Sequence, residues 1–272
     1  MTSKTKSLGA DALAVLETPN PLEKASLATL LVKRWESVVS LSVVPNTTPP
    51  RRPSRSNRPL LLPPGKVPRR RINRGVKGRI ALLHALAHIE LNAVDLACDI
   101  IVRFGHEKEL PTDFFKDWTK VASDEGRHFL LLSERLYKLG ATYGDLPAHD
   151  GLWEAAENTA DNLLARLAVV PLVLEARGLD VTPPMIEKLR AVEDQESAAI
   201  LEIIHRDEIR HVATGQKWFA YLCDKRNLEP VLTFQNLVQH YFKGKLRPPF
   251  NKISRDAAGM PPAFYEGEII NY

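Results

Sequence analysis

The chain has 272 residues, 44% of them hydrophobic and 26% charged, which is enough for one sizeable core with appendages. No run of eighteen apolar residues occurs and the amino terminus has no apolar segment, so we expect neither a membrane-spanning helix nor a secretory signal. Cys98 and Cys223 are the only cysteines and form no Cys-x-x-Cys pair. We interpret them as core thiols of a reduced, cytoplasmic protein.

The net charge of +4 conceals two regions of opposite charge. Residues 1–80 contain 16 Lys and Arg but 4 Asp and Glu, whereas the remainder contains 21 bases and 29 acids. The simplest interpretation is that the basic leading segment lies on the acidic remainder. Nucleic-acid binding is the alternative, and it ranks second because the proline-rich part of the leader has no aromatic residues for base stacking.

The leading segment combines short helices with an extended arm. Apolar periodicity predicts helices over 7–17 and 21–40, the second with Lys24 and Lys33 on its outer side. Residues 45–71 contain eight prolines, which lack the backbone N–H and fix φ, so this stretch is predicted to be an extended arm. The "LLLPP" within it indicates that part of the arm docks on apolar surface.

Four long helices are predicted next, bounded by glycine, proline or a capping residue: 76–104, 111–140, 151–178 and 182–223. Asp150 can cap the third, and Thr182 with two following prolines is expected to start the fourth. Pro171 should kink the third helix one turn before Glu175. A last helix is predicted over 228–243, followed by an irregular tail that wraps the body.

These elements predict an all-α protein built on a four-helix bundle. Its predicted parts are an N-terminal helical segment (1–44), a Pro/Arg-rich arm (45–75), the bundle (76–225), and a C-terminal helix with a wrapping tail (226–272).

Each pair of long helices carries a lone glutamate and then Glu-x-x-His. The residues in this pattern are Glu90, Glu125 and His128 in the first pair, and Glu175, Glu208 and His211 in the second. The second set follows the first at an offset of 83 to 85 residues. One Glu-x-x-His arises easily on a solvated helix, but two copies, each with an upstream glutamate in apolar sequence, form a specific pattern.

The pattern suits a pair of metal ions. Residues three apart share one helical face, so each Glu-x-x-His directs a carboxylate and an imidazole the same way. Four carboxylates and two imidazoles can neutralise and hold two divalent ions, whereas four buried carboxylates without metal would repel and desolvate at large cost. Oxygen and nitrogen ligands favour iron or manganese, alone or mixed, and we predict two irons with O₂ as co-substrate.

Several neighbouring residues leave alternatives open. Asp124 and Asp207 could replace the adjacent glutamates, although we prefer them as acceptors that orient the ligand imidazoles. His84 and His88 resemble a zinc pair but have no third ligand, so they are interpreted as structural or supporting residues. His205 either borders the site or lies on the surface, and the surface role is preferred. Arg127 and Arg210 are expected to point away from the site and pair with exposed acids.

The sequence resembles the DUF455 family of the ferritin-like superfamily. The matching stretches lie mostly within 76–220: "HALAHIELNAVDLA", "DEGRHF", "YGDLPAHDGLWEAAENTA", "LARLAVVPLVLEARGLDVTP" and "DEIRHVATGQKWF". The arm "RPLLLPPGKVPRRR" and the tail "LRPPFN" are also similar to that family. The resemblance implies a ferritin-like four-helix bundle with a dimetal centre at the six residues of the repeated pattern, and it implies no substrate. The tRNA hydroxylase branch of di-iron bundles is a more distant likeness.

The leading functional hypothesis is an oxygen-activating di-iron enzyme, a monooxygenase or oxidase, with a small-molecule substrate and an electron donor as partners. A ferroxidase or iron-handling protein, a tRNA-modifying hydroxylase-like enzyme and a helical binding protein with a structural metal are the alternatives. No membrane partner is expected, and a homodimer is compatible with the sequence.

Overall fold

In a computed structural model of the chain, the described residues are 7–37, 43, 48–67 and 75–266. Their regular structure is helical, with one isolated β-bridge and no strand, so the all-α prediction is confirmed for this part of the chain. Among the same residues, no helix has both the length and the apolar character needed to cross a membrane. The chain divides into two compact units, Met1–Trp153 and Glu154–Tyr272.

The first unit is built from two short and two long helices. They are α1 (Leu8–Glu17), α2 (Pro21–Trp35), α3 (Val76–Arg103) and α4 (Thr112–Lys138), and α5 (Gly151–Asn158) begins at its end. The long helices α3 and α4 pack against each other, α2 packs on α4, and α1 packs on α3. The predicted helices over 7–17, 76–104 and 111–140 are therefore confirmed, whereas α2 ends earlier than predicted, and residues 38–40 lie outside the described part.

The close packing of α2 on α4 depends on one glycine. A Cβ atom on Gly126 would lie 2.6 Å from the carbonyl oxygen of Ala25, which is closer than a real Cβ approaches. Gly126 follows Glu125 directly, so the backbone of α2 covers α4 beside that glutamate. The second Glu-x-x-His has Ile209 at the equivalent position, where the same approach of a helix backbone would be blocked.

The arm joins the first unit through its backbone. Residues 48–67 are irregular apart from a 3₁₀ turn at Pro64–Lys66, as the prolines predicted, and the arm residues outside this range are not described. Leu62 N–H donates to the carbonyl of Ala148 at 2.8 Å, and Ala148 N–H donates to that of Leu60 at 3.0 Å. Leu60 and Leu61 are 64% and 38% exposed, so the expectation that these leucines dock on apolar surface is wrong.

Lys24 was predicted to lie on the outer side of α2, and this prediction is wrong. Its side chain is 1% exposed, and its Nζ lies 2.5 Å from Asp95 Oδ1 of α3 and 2.9 Å from the carbonyl oxygen of Ser54 in the arm. The arm passes over this face of α2 and converts it from a surface into an interior. Asp95 is itself 1% exposed, and a carboxylate buried that deeply requires a cationic partner.

The second unit contains the remaining helices. They are α6 (Leu163–Val169), a π-helical segment (Val170–Glu175), α7 (Ala176–Ala191), α8 (Gln195–Lys225), α9 (Pro230–Tyr241) and α10 (Lys252–Ala257). Within this unit α7 packs on α8 and α6 packs on α9. The predicted helix over 228–243 is confirmed as α9.

The boundaries predicted for the third and fourth long helices are wrong. The third is interrupted after α5 and restarts at α6, where Asn162 Oδ1 accepts the N–H of Ala165 at 3.0 Å. Beyond the π segment, α7 continues past Gly178 and contains Pro183 and Pro184 in its interior. The fourth helix, α8, starts at Gln195 after a turn.

Contacts from the tail explain why α7 tolerates prolines. A proline in a helix leaves the carbonyl four residues earlier without its N–H donor. For Pro183 that carbonyl belongs to Leu179, and the side-chain amide of Asn251 donates to it at 3.2 Å. The same asparagine caps α10 by accepting Ser254 N–H at 3.1 Å, so the tail, predicted to be irregular, instead forms a short helix that also completes α7.

Arg255 fixes α10 to α7. Its guanidinium donates to both carboxylate oxygens of Asp180, at 2.9 and 2.8 Å, and lies over the rings of Phe250 and Tyr265. Arg255 is 2% exposed, and a buried bidentate pair of this kind is a strong, directional contact.

Candidate metal centre

Helices α3 and α4 bring three of the predicted ligands together inside the first unit. Glu90 lies on α3, and Glu125 and His128 lie one turn apart on α4. Their exposed fractions are 4%, 1% and 0%. The apolar residues that flank Glu90 on α3 drive that face of the helix into the core, and the glutamate is buried with them.

The geometry of these three side chains is compact. Nδ1 of His128 lies 3.1 Å from Glu90 Oε2 and 3.4 Å from Glu125 Oε2. One ligand atom from each of the three residues lies within 4.8 Å of the others. A single cation could therefore contact all three, and the two oxygen donors with one imidazole nitrogen form a donor set that suits divalent iron or manganese.

The charges of this cluster favour a cation. Two carboxylates at this distance repel each other, and burial adds a desolvation cost to each of them. A bound divalent ion would offset both terms, so the residues present fit a metal ion. The three side chains are called the α3–α4 half-site below.

The second unit carries the matching residues Glu208 and His211. Both lie on α8, 8% and 2% exposed, with His211 Nδ1 3.6 Å from Glu208 Oε1. Glu175 ends the π segment and is half-buried. These three residues are called the α8 half-site below. Whether any of the six residues binds a metal remains a prediction.

The π segment results from Pro171, at the position where the sequence predicted a kink. Proline removes one backbone N–H and displaces the carbonyl four residues earlier, and one turn of π-helix accommodates both changes. Its ring packs against α8 at Gly215, where a Cβ atom would lie 2.4 Å from Pro171 Cβ. The segment ends at Glu175, so the altered winding determines the direction of that carboxylate.

Asp124 and Asp207 are held by arginines of their own helices. Arg127 Nη2 lies 3.1 Å from Asp124 Oδ1, and Arg210 Nη2 lies 2.7 Å from Asp207 Oδ1. The Asp-Glu-x-Arg-His repeat thus conserves this ion pair in both copies. Asp207 is fully buried, so the expectation that Arg210 pairs with an exposed acid is wrong. The proposed orienting role of the two aspartates stays a prediction.

His84 and His88 anchor the loop between α4 and α5, in agreement with a structural role. His84 Nε2 accepts the N–H of Gly144 at 2.9 Å. His88 Nδ1 lies 2.8 Å from the Tyr143 hydroxyl, and its Nε2 lies 3.1 Å from the carbonyl of His149. We assign the proton to Nε2, because a carbonyl only accepts. Burial, and then the charge of Arg55, lowers the pKa of His88 to about 3, so the ring is neutral.

His205 lies beside the tail. Its Nε2 is 3.2 Å from the Ser254 hydroxyl of α10, and burial lowers its pKa. The preferred prediction of a plain surface position is therefore wrong, because α10 covers one side of this histidine.

One buried polar network was not anticipated from the sequence. Arg55 of the arm reaches Asp150 at 2.6 Å, Asn92 at 2.6 Å and Asp95 at 3.6 Å, and Lys24 completes it. The signal was present in α3, where "NAVDLACDII" places two acids in apolar sequence. Those acids required cations, and the basic leader supplies them, so its expected contact with acidic residues is confirmed at these positions.

Comparison with known proteins gives the chain a family. The family described as "Protein of unknown function (DUF455)" matches residues 17–266. The chain belongs to the DUF455 family. An uncharacterized protein of Haemophilus influenzae (strain ATCC 51907 / DSM 11121 / KW20 / Rd) is 41% identical over 260 residues, covering 90% of this chain and 88% of that protein. No solved structure matches the chain. Both half-sites of this DUF455 protein lie within the matched residues.

Proposed function

We propose that this DUF455 protein holds two divalent metal ions, with iron preferred, and uses them to activate O₂ for the oxidation of a small organic substrate. The α3–α4 half-site and the α8 half-site would together supply four carboxylates and two imidazoles, in a ferritin-like bundle of four helices. The observation that carries the proposal is the buried contact of His128 with Glu90 and Glu125 at 3.1 and 3.4 Å.

The repeated pattern supports a site made from two halves. Glu125 with His128, and Glu208 with His211, show the same spacing on the same kind of helix, and all four side chains are buried. Four carboxylates balance the charge of two divalent ions, which a single half-site cannot do. This is the ligand set of the di-iron carboxylate bundles.

The residues around the half-sites have definable tasks. Iron bound there would supply the electrons that reduce O₂. The carboxylates hold the ions and can shift between one and two oxygen contacts, and the imidazoles fix the ions relative to the helices. Phe129 follows His128 and is fully buried, so it helps to exclude water from the α3–α4 half-site.

The first test concerns metal content. We expect wild-type protein loaded with Fe(II) without oxygen to bind about two irons per chain, as measured by elemental analysis after desalting. Glu125→Ala should bind one or none, because a buried ligand is lost. Glu134→Ala is the matched control, since this glutamate lies on the same helix but is 65% exposed. Equal iron contents in the two variants would remove Glu125 from the ligand set.

The second half-site is tested in the same way. Glu208→Ala should lower the iron content to one or none, whereas Glu202→Ala, 46% exposed on the same helix, should not change it. If Glu208→Ala keeps the full wild-type content, the α8 half-site is not part of the centre.

The oxygen reaction separates the enzyme from an iron store. We expect the loaded protein to consume O₂ once, in proportion to its bound iron, and to consume more only when a reductant is added. Accumulation of many irons per chain during repeated additions of Fe(II) and O₂ would instead indicate iron handling. Loaded protein that consumes no O₂ would refute the proposed activity and leave a structural metal.

A further inference from the structure

A cleft in the first unit opens between the arm, the start of α2 and the middle of α3. Its cationic lining residues are Lys24 of α2 and Arg55 and Arg58 of the arm. The lining includes no aspartate or glutamate. Such a surface attracts anions, because nothing on the cleft wall itself compensates the three positive charges.

The acids nearest to these cations lie behind the wall. Asp95 contacts Lys24, and Asp150 and Asp95 contact Arg55, but neither carboxylate lines the cleft. Asp145 lies near Arg58 and senses its charge. The acids therefore hold the cations in place and reduce their charge without blocking the opening.

The cations keep donors for a ligand. Lys24 has three N–H groups, of which two are used by Ser54 and Asp95. Its side chain is 1% exposed and yet lines the cleft, so it is fixed before any ligand arrives. Arg55 uses its two terminal nitrogens on Asp150 and Asn92. Preorganised donors of this kind bind an anion without a further entropic cost.

The rest of the lining is apolar or carries hydroxyl groups. Pro59 and Leu61 of the arm, Pro21 of α2 and Leu91 of α3 supply apolar wall, and Tyr143 supplies a ring. The cleft holds about 360 Å³ of empty space, part of it open to solvent, which is at the small end of the range for small-molecule sites. It suits a molecule with one charged group and one small apolar body.

We propose that this cleft binds a small organic anion, a carboxylate or a phosphate monoester, with its charged group on Lys24, Arg55 and Arg58 and its apolar body against the prolines and Leu61. The site is separate from the metal-binding proposal and goes beyond it. It uses only first-unit residues, so the full-length protein should bind the anion with or without metal.

Calorimetric titration of the full-length protein with three one-ring probes tests the proposal. We expect benzoate or phenyl phosphate, or both, to bind with a Kd of about 1 mM or tighter, and benzylamine to bind at least tenfold more weakly. The tighter of the two anions identifies the charged group of the natural ligand. The proposal is overturned if neither anion binds at about 10 mM, or if benzylamine binds equally well.

Paired variants locate the binding. Leu61→Glu places a negative charge on the wall and should weaken anion binding at least tenfold. Leu60→Glu is the control, because Leu60 is the more exposed neighbour and does not line the cleft. Arg58→Ala should weaken binding roughly threefold, as expected for a partly solvated charge contact, and Lys66→Ala should not weaken it. Equal effects within each pair would show non-specific attraction to the basic arm and would overturn the proposal.

Discussion

The substitution Lys24→Met tests the buried ion pair that connects α2 to α3. Methionine reproduces the length of the lysine stem and removes the charge, so packing is largely kept. Asp95 then loses the partner at 2.5 Å and keeps Arg55 at 3.6 Å. The carbonyl of Ser54 loses its donor as well.

The expected cost follows from these contacts. Removing one partner of a buried ion pair costs about 3–5 kcal/mol. Arg55 stays within reach of Asp95, which places the expected loss in the free energy of unfolding near the lower end, at about 3 kcal/mol. Lys33→Met is the matched control, because Lys33 is exposed on the same helix, and it should cost less than about 0.5 kcal/mol.

The destabilisation should also depend on pH. Burial raises the pKa of Asp95, and Lys24 and then Arg55 oppose this effect, so the substitution raises the pKa further. A carboxyl group whose folded-state pKa is raised stabilises the protein when protonated, and this contribution is lost as pH rises through that pKa. The gap between wild type and variant should therefore be larger at about pH 8 than at about pH 5.

Urea denaturation followed by circular dichroism measures the free energy of unfolding at each pH. A loss under about 1 kcal/mol for Lys24→Met, equal to that of Lys33→Met, would refute the reasoning. A gap that widens as pH falls would refute the assignment of the pH dependence to Asp95.

Two further predictions concern packing and thiol reactivity. Gly215→Ala should lower the free energy of unfolding by about 1–3 kcal/mol, because its Cβ would clash with the facing proline ring, whereas Gly178→Ala has open space and should raise it by up to about 1 kcal/mol. A loss for Gly178→Ala as large as that for Gly215→Ala would contradict this. Cys98 and Cys223 are buried, and burial raises the pKa of both thiols, that of Cys223 to about 11. A disulfide thiol reagent should therefore label neither in native protein and both in denaturant, and rapid labelling of native protein would refute their burial.

Much of the candidate site could be read from local sequence. The spacing of Glu125 and His128 places both on one face of any helix, and their burial follows from the apolar residues around them. Glu90 was identifiable because a charge in an apolar run needs a reason to be buried. Those inferences depend only on residues a few positions apart.

The errors arose where a distant segment changes the local preference. Lys24 follows the pattern of an exposed helix face, and only the arm, some 30 residues further along the chain, makes that face an interior. Pro183 would normally begin a helix, yet α7 runs through it because Asn251 donates to the carbonyl of Leu179 that the proline leaves without a donor. Neither partner is detectable from the helix that needs it.

By itself, the sequence determined the helical class, most helix positions and the two Glu-x-x-His pairs, because helical periodicity and capping act over a few residues. Only the tertiary structure decided that Lys24 is buried, that α7 continues through its prolines and that a cationic cleft opens beside the arm. The physical reason is that a buried charge or a displaced carbonyl is stabilised by whichever donor the fold brings to it, and that donor can come from anywhere in the chain.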